Sequence, residues 1–283
     1  MATPQVTSTL NILHGVHEVQ PDGPRLAYTV YQPSQARQST SSVKLALVAH
    51  PLGRLGGSRR DHVITSLSET LVSNGWTVLT YDSRGAGEST GSASFSLVPE
   101  AEDYTSMLEQ VLLPLGESQK SESNTSVSLA LIGYSAGSVA ASVSNPKADA
   151  MFSLSPSHSG EHVRIRRVLI SYPLSVMWAL TLFRSSTFSA RLEQLVSAPS
   201  PSVDSVHGSQ VGQQADERVL AVHGTSDHFT ASAKYGAWSD RLASLAAQSQ
   251  RWESVTVQNA DHFWGDSDCK SQLVNSILEF VEL

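Results

Sequence analysis

Short runs rich in apolar and β-branched residues alternate along the chain with longer stretches in which apolar residues recur every third or fourth position. The short runs predict strands near 10–19, 25–31, 44–50, 77–81, 128–132, 167–172, 218–223 and 254–258. The longer stretches predict helices over 61–73, 99–115, 136–143, 231–247 and 270–281. In the first of these Ile64, Leu67 and Leu71 share one face, and Asn74-Gly75 supplies a stop. This order predicts an α/β protein: a doubly wound, mostly parallel sheet with helices on both faces, led by an antiparallel pair at its N-terminal edge. No internal repeat interrupts it, and the Ser-rich stretches 34–42 and 117–126 read as surface loops within a single domain, 1–283. The most apolar segment, 168–183, is too short to span a bilayer and carries Pro173, so it divides into a buried strand and a following helix.

Composition narrows the function classes. A net charge of −7 with 16% charged residues leaves no basic stripe, which argues against a nucleic-acid partner and against an anionic membrane surface. At 283 residues the chain can bury a large core without disulfides or metals. Its single cysteine, Cys269, permits no intrachain disulfide, and Met1-Ala2-Thr3-Pro4-Gln5 lacks the charged and apolar regions of a signal peptide. A cytoplasmic location is the expectation.

The chemistry begins at Gly133-Tyr134-Ser135-Ala136-Gly137, directly after the apolar run Leu129-Ala130-Leu131-Ile132. This is the G-x-S-x-G pattern in a strand-to-helix setting, where glycines permit the strained backbone that projects a serine hydroxyl toward a base. An acid and then a histidine are expected downstream. The strand-like run 218–223 opens into a turn ending at Asp227, and the run 254–258 is followed by Asp261-His262-Phe263-Trp264. An aspartate in a turn or a histidine beside aromatics is unremarkable alone. In this order, at successive strand ends, the three predict a nucleophile Ser135, an acid Asp227 and a base His262 at one edge of a sheet.

Four further segments carry a resemblance: His50-Pro51-Leu52-Gly53 with Gly56-Gly57-Ser58; Asp82-Ser83-Arg84-Gly85-Ala86-Gly87-Glu88-Ser89; Leu169-Ile170-Ser171-Tyr172-Pro173; and Ala260-Asp261-His262-Phe263-Trp264. With the serine motif they make the chain similar, from about Leu45 to its C-terminus, to the α/β-hydrolase superfamily. The combination resembles a group of small serine hydrolases with many fungal members, some encoded among natural-product biosynthesis genes. The resemblance implies an α/β-hydrolase fold with a short lid-like insertion at 174–215, and acyl transfer through the three residues. The oxyanion would be held by the backbone N–H groups of Leu52 and Ala136, since Pro51 has none to donate. Tyr134, Trp178, Phe183, Phe229 and Trp264 are the candidate walls of a pocket for a small, largely hydrophobic acyl substrate. Arg84 has two readings, a ligand for a substrate carboxylate or a fastener of its own turn.

No cofactor or metal is expected. His158-Ser159-Gly160-Glu161-His162 spells H-x-x-E-H, but in a Ser/Pro/Gly-rich loop and without an evident third ligand. The run 53–57 lacks the lysine of a phosphate loop, and Thr90 stands where a dinucleotide-binding turn needs its third glycine. Three functions stay open: an esterase or thioesterase-like serine hydrolase; a lyase, isomerase or condensation enzyme using the same residues without net hydrolysis; and a ligand-binding module on an idle hydrolase scaffold.

Overall fold

A computed structural model of the chain describes residues 10–34, 42–119, 126–145, 163–199 and 216–283. Eight strands form one sheet: β1 (Asn11–Glu18), β2 (Arg25–Gln32), β3 (Ser42–Ala49), β4 (Thr77–Tyr81), β5 (Ser126–Tyr134), β6 (Val163–Ile170), β7 (Asp216–Gly224) and β8 (Trp252–Val257). Their order across the sheet is β1-β2-β4-β3-β5-β6-β7-β8. β2 runs antiparallel to both neighbours, and every pair from β4 to β8 is parallel. The chain leaves β3 for β4 on one side and returns to β5 on the other. Parallel strands winding in opposite directions from one point open a crevice at their carboxyl ends, here beyond β3 and β5.

The helices explain why the central strands β3 to β6 are buried almost throughout and lack polar alternation. α1 (His62–Ser73) and the C-terminal α8 (Ser267–Glu282) cover one face; α2 (Val98–Met107), α3 (Leu113–Ser118), α4 (Ala136–Val143), α6 (Ser185–Ser197) and α7 (Ser232–Leu245) cover the other, with a one-turn α5 (Met177–Leu180) before α6. Successive residues of β5 therefore enter different cores. Leu129 and Leu131 pack beneath α2 and α4, while Ala130, Ile132 and Tyr134 pack toward α1 and α8. Asp61 caps α1 by accepting the Val63 N–H at 2.9 Å, and Asp266 caps α8 through the Asp268 and Cys269 N–H groups.

The helix expected over 99–115 is longer and interrupted. Pro114 cannot donate to a preceding carbonyl, and the chain widens into a π turn, Leu108–Leu112, before resuming as α3. The Arg84 alternatives resolve in favour of the turn. Its guanidinium forms a two-pronged pair with buried Asp103 on α2, Nε to Oδ2 at 2.7 Å and Nη2 to Oδ1 at 2.5 Å. Asp82 organises the same loop, taking the Arg59 and Glu88 N–H groups at 2.8 and 2.9 Å and the Arg59 guanidinium. The H-x-x-E-H motif at 158–162 lies outside the described residues, as do 200–215 of the expected lid-like insertion.

α4 is buried along its whole length, and it reaches the sheet so closely because its first turn carries Gly137. A Cβ at Gly137 would stand 2.6 Å from the carbonyl oxygens of both Ala49 and His50, at the end of β3. Backbone at two points has little room to yield, so Gly137→Ala is expected to lower Tm by about 5 °C or more, read by differential scanning calorimetry. An unchanged Tm would show that α4 does not depend on this contact.

Candidate active site

The turn from β5 into α4 places Ser135 at φ 52° and ψ −116°, a left-handed conformation that L-residues avoid unless the surroundings impose it. Its N–H donates to the Ile170 carbonyl at 2.8 Å, and the Ser138 hydroxyl donates back to the Ser135 carbonyl at 2.5 Å. Both bonds fix the turn so that Oγ faces the crevice. His262 follows β8 and Asp227 follows β7. The imidazole Nε2 lies 3.0 Å from Ser135 Oγ, and Nδ1 lies 2.8 Å from Asp227 Oδ2. The structure thus brings the three sequence-selected residues together, all nearly buried. The neighbouring Asp261 instead accepts the Gly265 N–H at 3.2 Å.

Asp227 is held from every side. Oδ1 accepts the N–H groups of Phe229 and Thr230 at 2.8 and 2.9 Å; Oδ2 accepts from His262 and from the Tyr235 hydroxyl at 3.2 Å. Burial alone would raise its carboxyl, but the hydrogen bond and charge of His262 and the two backbone donors outweigh it and hold the group below the usual carboxylate range. Tyr134 secures the histidine from below, its hydroxyl donating to the His262 carbonyl at 2.7 Å, and Phe229 meets the imidazole edge to face at 4.5 Å.

The loop after β3 carries the second candidate feature. The Ser83 N–H donates to His50 Nε2 at 2.9 Å, which leaves the proton on Nδ1, 2.5 Å from the Pro51 carbonyl oxygen. Burial lowers the His50 pKa, and the bond to Pro51 and the acids nearby offset this only in part, so the ring stays neutral. The Pro51 carbonyl and the Leu52 N–H belong to one peptide unit, so holding the first aims the second. Leu52 borders the cavity at Ser135, and Ala136 opens α4 immediately behind it. Sequence reasoning picked the two N–H groups and missed the histidine that orients one of them.

A cavity of about 320 Å³ opens at Ser135 and His262. Pro51, Leu52, Leu55, Pro173, Val176, Leu180, Phe229 and Phe263 make it largely apolar, with Tyr134 and Asp61 also in its lining. Two of the expected wall residues are there, Tyr134 and Phe229; three are elsewhere. Trp264 is fully buried in the core beneath α1 and α8, its Nε1–H donating to Ser171 Oγ at 3.1 Å. Trp178 and Phe183 are 55% and 74% exposed and lean on each other, with ring centroids 5.6 Å apart. The cause is helical phase: Val176 and Leu180, one turn apart beside α5, face the cavity, so Trp178 between them must point away. Within the described part of 174–215, that short stretch reaches the cavity, while α6 turns Phe188, Leu192 and Val196 into the body of the protein. Among the described residues no group of three or more His, Cys, Asp or Glu side chains has the arrangement to hold a metal, and no helix is long and apolar enough to cross a membrane.

A family model described as X-Pro dipeptidyl-peptidase (S15 family) matches residues 22–277. No curated protein sequence matches the chain. Solved structures share its fold at low identity. An α/β serine hydrolase homologue from Coxiella burnetii is 17% identical, with 98% of this chain and 99% of that one covered and a TM-score of 0.58. XC6422 from Xanthomonas campestris, described as an α/β serine hydrolase without lid, is 18% identical over 99% and 97% of the two chains, TM-score 0.56. Est1E from Butyrivibrio proteoclasticus with bound ferulic acid is 14% identical over 94% and 100%, TM-score 0.57.

A buried histidine beside the acid gives the region a pH signature. His223 on β7 sits under Tyr235, and burial pushes its pKa down to about 4 from 6.5, with Asp227 opposing the shift. Below 6.5 the unfolded chain takes up a proton that the folded one refuses, so stability fully present above that pH is lost as pH falls toward 4. Between pH 7 and 5 this group is expected to remove about 2 kcal/mol, and His223→Gln to flatten that part of the stability profile in urea melts. Parallel profiles for both proteins would contradict it.

Proposed function

The chain belongs to the X-Pro dipeptidyl-peptidase (S15) family and is a hydrolase of α/β fold, and from this footing we propose that it cleaves carboxylic esters or thioesters of small, largely hydrophobic acyl groups through Ser135, His262 and Asp227. The observation that carries the reading is the relay itself, 3.0 Å from hydroxyl to imidazole and 2.8 Å from imidazole to carboxylate, opening onto an apolar cavity. In this reading His262 takes the Ser135 proton as Oγ attacks the acyl carbon, then delivers it to the leaving oxygen or sulfur. Asp227 keeps the ring oriented and stabilises its charged form. The N–H groups of Leu52 and Ala136 receive the charge that develops on the carbonyl oxygen, and water repeats the sequence on the acyl-enzyme. The substrate is a small molecule, and no cofactor enters these steps. The motif resemblance to hydrolases encoded among natural-product genes supports a secondary metabolite as that substrate.

One observation favours a second reading, cleavage of an X-Pro peptide. The matching family is described by that activity, and Asp61, the N-cap of α1, is the acidic residue in the lining of a largely apolar cavity, a partner for a peptide's terminal ammonium. A single panel separates the two: p-nitrophenyl esters and thioesters of graded acyl length against an X-Pro p-nitroanilide. Esters or thioesters with apolar acyl groups are expected to give the highest kcat/KM, and Ser135→Ala to lose about four powers of ten with Tm nearly unchanged. Preference for the anilide would replace the esterase reading with the peptidase one. Undiminished turnover by Ser135→Ala would remove the serine from both.

A further inference from the structure

Two buried side chains next to the acid have no part in the relay just described. Tyr235 lies in the first turn of α7, and His223 on β7 lies flat against it, with ring centroids 4.1 Å apart and planes 16° apart. Trp238, one turn further along α7, closes on the phenol ring edge to face at 6.5 Å. His223 is itself anchored to Thr256 Oγ1 on β8 at 3.0 Å through Nε2, while its Nδ1 is buried and unpartnered. A ring clamped in this way has one place for its hydroxyl, which is 3.2 Å from Asp227 Oδ2.

We propose that Tyr235 is a positioning residue for the acid: its O–H, aimed by the stacked His223, shares Asp227 Oδ2 with the imidazole of His262 and sets both the orientation and the effective charge of that carboxylate. The proposal rests on the serine–histidine–aspartate reading given above. The count of donors carries it. Oδ1 is occupied by two backbone N–H groups, which fix that oxygen and leave Oδ2 to serve the imidazole. Oδ2 has one lone pair for His262 Nδ1 and one for Tyr235. In a site closed to water, a carboxylate oxygen lacking its second donor is left with uncompensated charge. The phenol supplies that donor and keeps its proton throughout, because burial first, and then the charge of Asp227, raise its pKa. No bond to Tyr235 forms or breaks in either half of the reaction.

The consequence is a signed effect on the relay. Remove the phenol O–H and Asp227 presents more negative charge to the ring, so the imidazolium holds its proton more tightly and the free base appears only at higher pH. The titratable groups facing Asp227 are His262 from the loop after β8, His223 on β7 and Tyr235 on α7, with Tyr134 at the end of β5 and, around that phenol, Asp61 ahead of α1 and Asp261 beside the histidine. Among the described residues, His262 and Tyr235 are the two side chains that reach Oδ2.

Tyr235→Phe tests this with the loss of one oxygen and retention of the stacked ring. In the full-length protein acting on its best ester, kcat is expected to fall about tenfold with KM changed less than twofold, and the acid limb of the kcat/KM profile to move up by about half a pH unit. The low-field proton resonance of the His262–Asp227 hydrogen bond is expected to shift downfield, a readout that needs no turnover. His223→Gln, which keeps the hydroxyl but removes its support, should move profile and resonance the same way by less. If Tyr235→Phe lowers Tm but leaves profile and resonance as in the wild type, the ring is core packing and the proposal is overturned; should that variant not fold, an unmoved resonance in His223→Gln overturns it equally. A protein inert to esters and to serine reagents whose resonance still shifts would sink the catalytic reading while leaving the hold of Tyr235 on the acid intact.

Discussion

The close approach of α4 to the end of β3 is the constraint on which the rest of the arrangement depends. It requires glycine at 137, where two backbone carbonyls stand within 2.6 Å of any added Cβ, and it turns the chain so sharply that Ser135 must take a left-handed backbone. The strain is contained because the turn is bonded on both sides, to Ile170 on β6 and to Ser138 within α4. Because β3 and β5 are neighbours, the same packing brings the Pro51–Leu52 peptide beside the serine. Sheet order, turn geometry and the candidate oxyanion site are one structural fact seen at three scales.

The second organising element is a buried carboxylate supplied with four donors. An ionised Asp227 is costly in a core, and the structure offsets that cost with two N–H groups, a phenol and an imidazole rather than with a fixed cation. With no cation fixed on Asp227, Oδ2 stays available to the imidazole Nδ1 at 2.8 Å. His50 plays a parallel part on the other side of the serine, kept neutral by burial so that it can accept from Ser83 and donate to Pro51 at once.

The sheet, its order of elements and the three central residues were legible because each leaves a local mark: an apolar run covered on both faces, a glycine-bounded serine, an acid and a histidine at strand ends. The cavity wall was not. Trp264, two residues after His262, looked like a wall and is core, because its ring joins the cluster shared with α1 and α8 and the indole N–H finds its partner in Ser171. Trp178 has the bulk of a pocket residue but the wrong phase on the one-turn α5, Phe183 lies in the turn beyond that helix and leans on Trp178 in solvent, and the smaller Val176 and Leu180 line the cavity instead. Tyr235 left no mark either, since its approach to Asp227 depends on how α7 lies against β7 and β8. Periodicity shows that a side chain is buried; which group it meets is decided by packing between elements distant in sequence.

The central claim is that Ser135 is a nucleophile activated by His262. Peptide mapping by mass spectrometry after reaction with a fluorophosphonate tests it most directly. One adduct per chain, on the peptide carrying Ser135 and abolished by His262→Ala in a folded protein, is the expected result. No adduct on the wild type, or one on a different serine, would contradict the account.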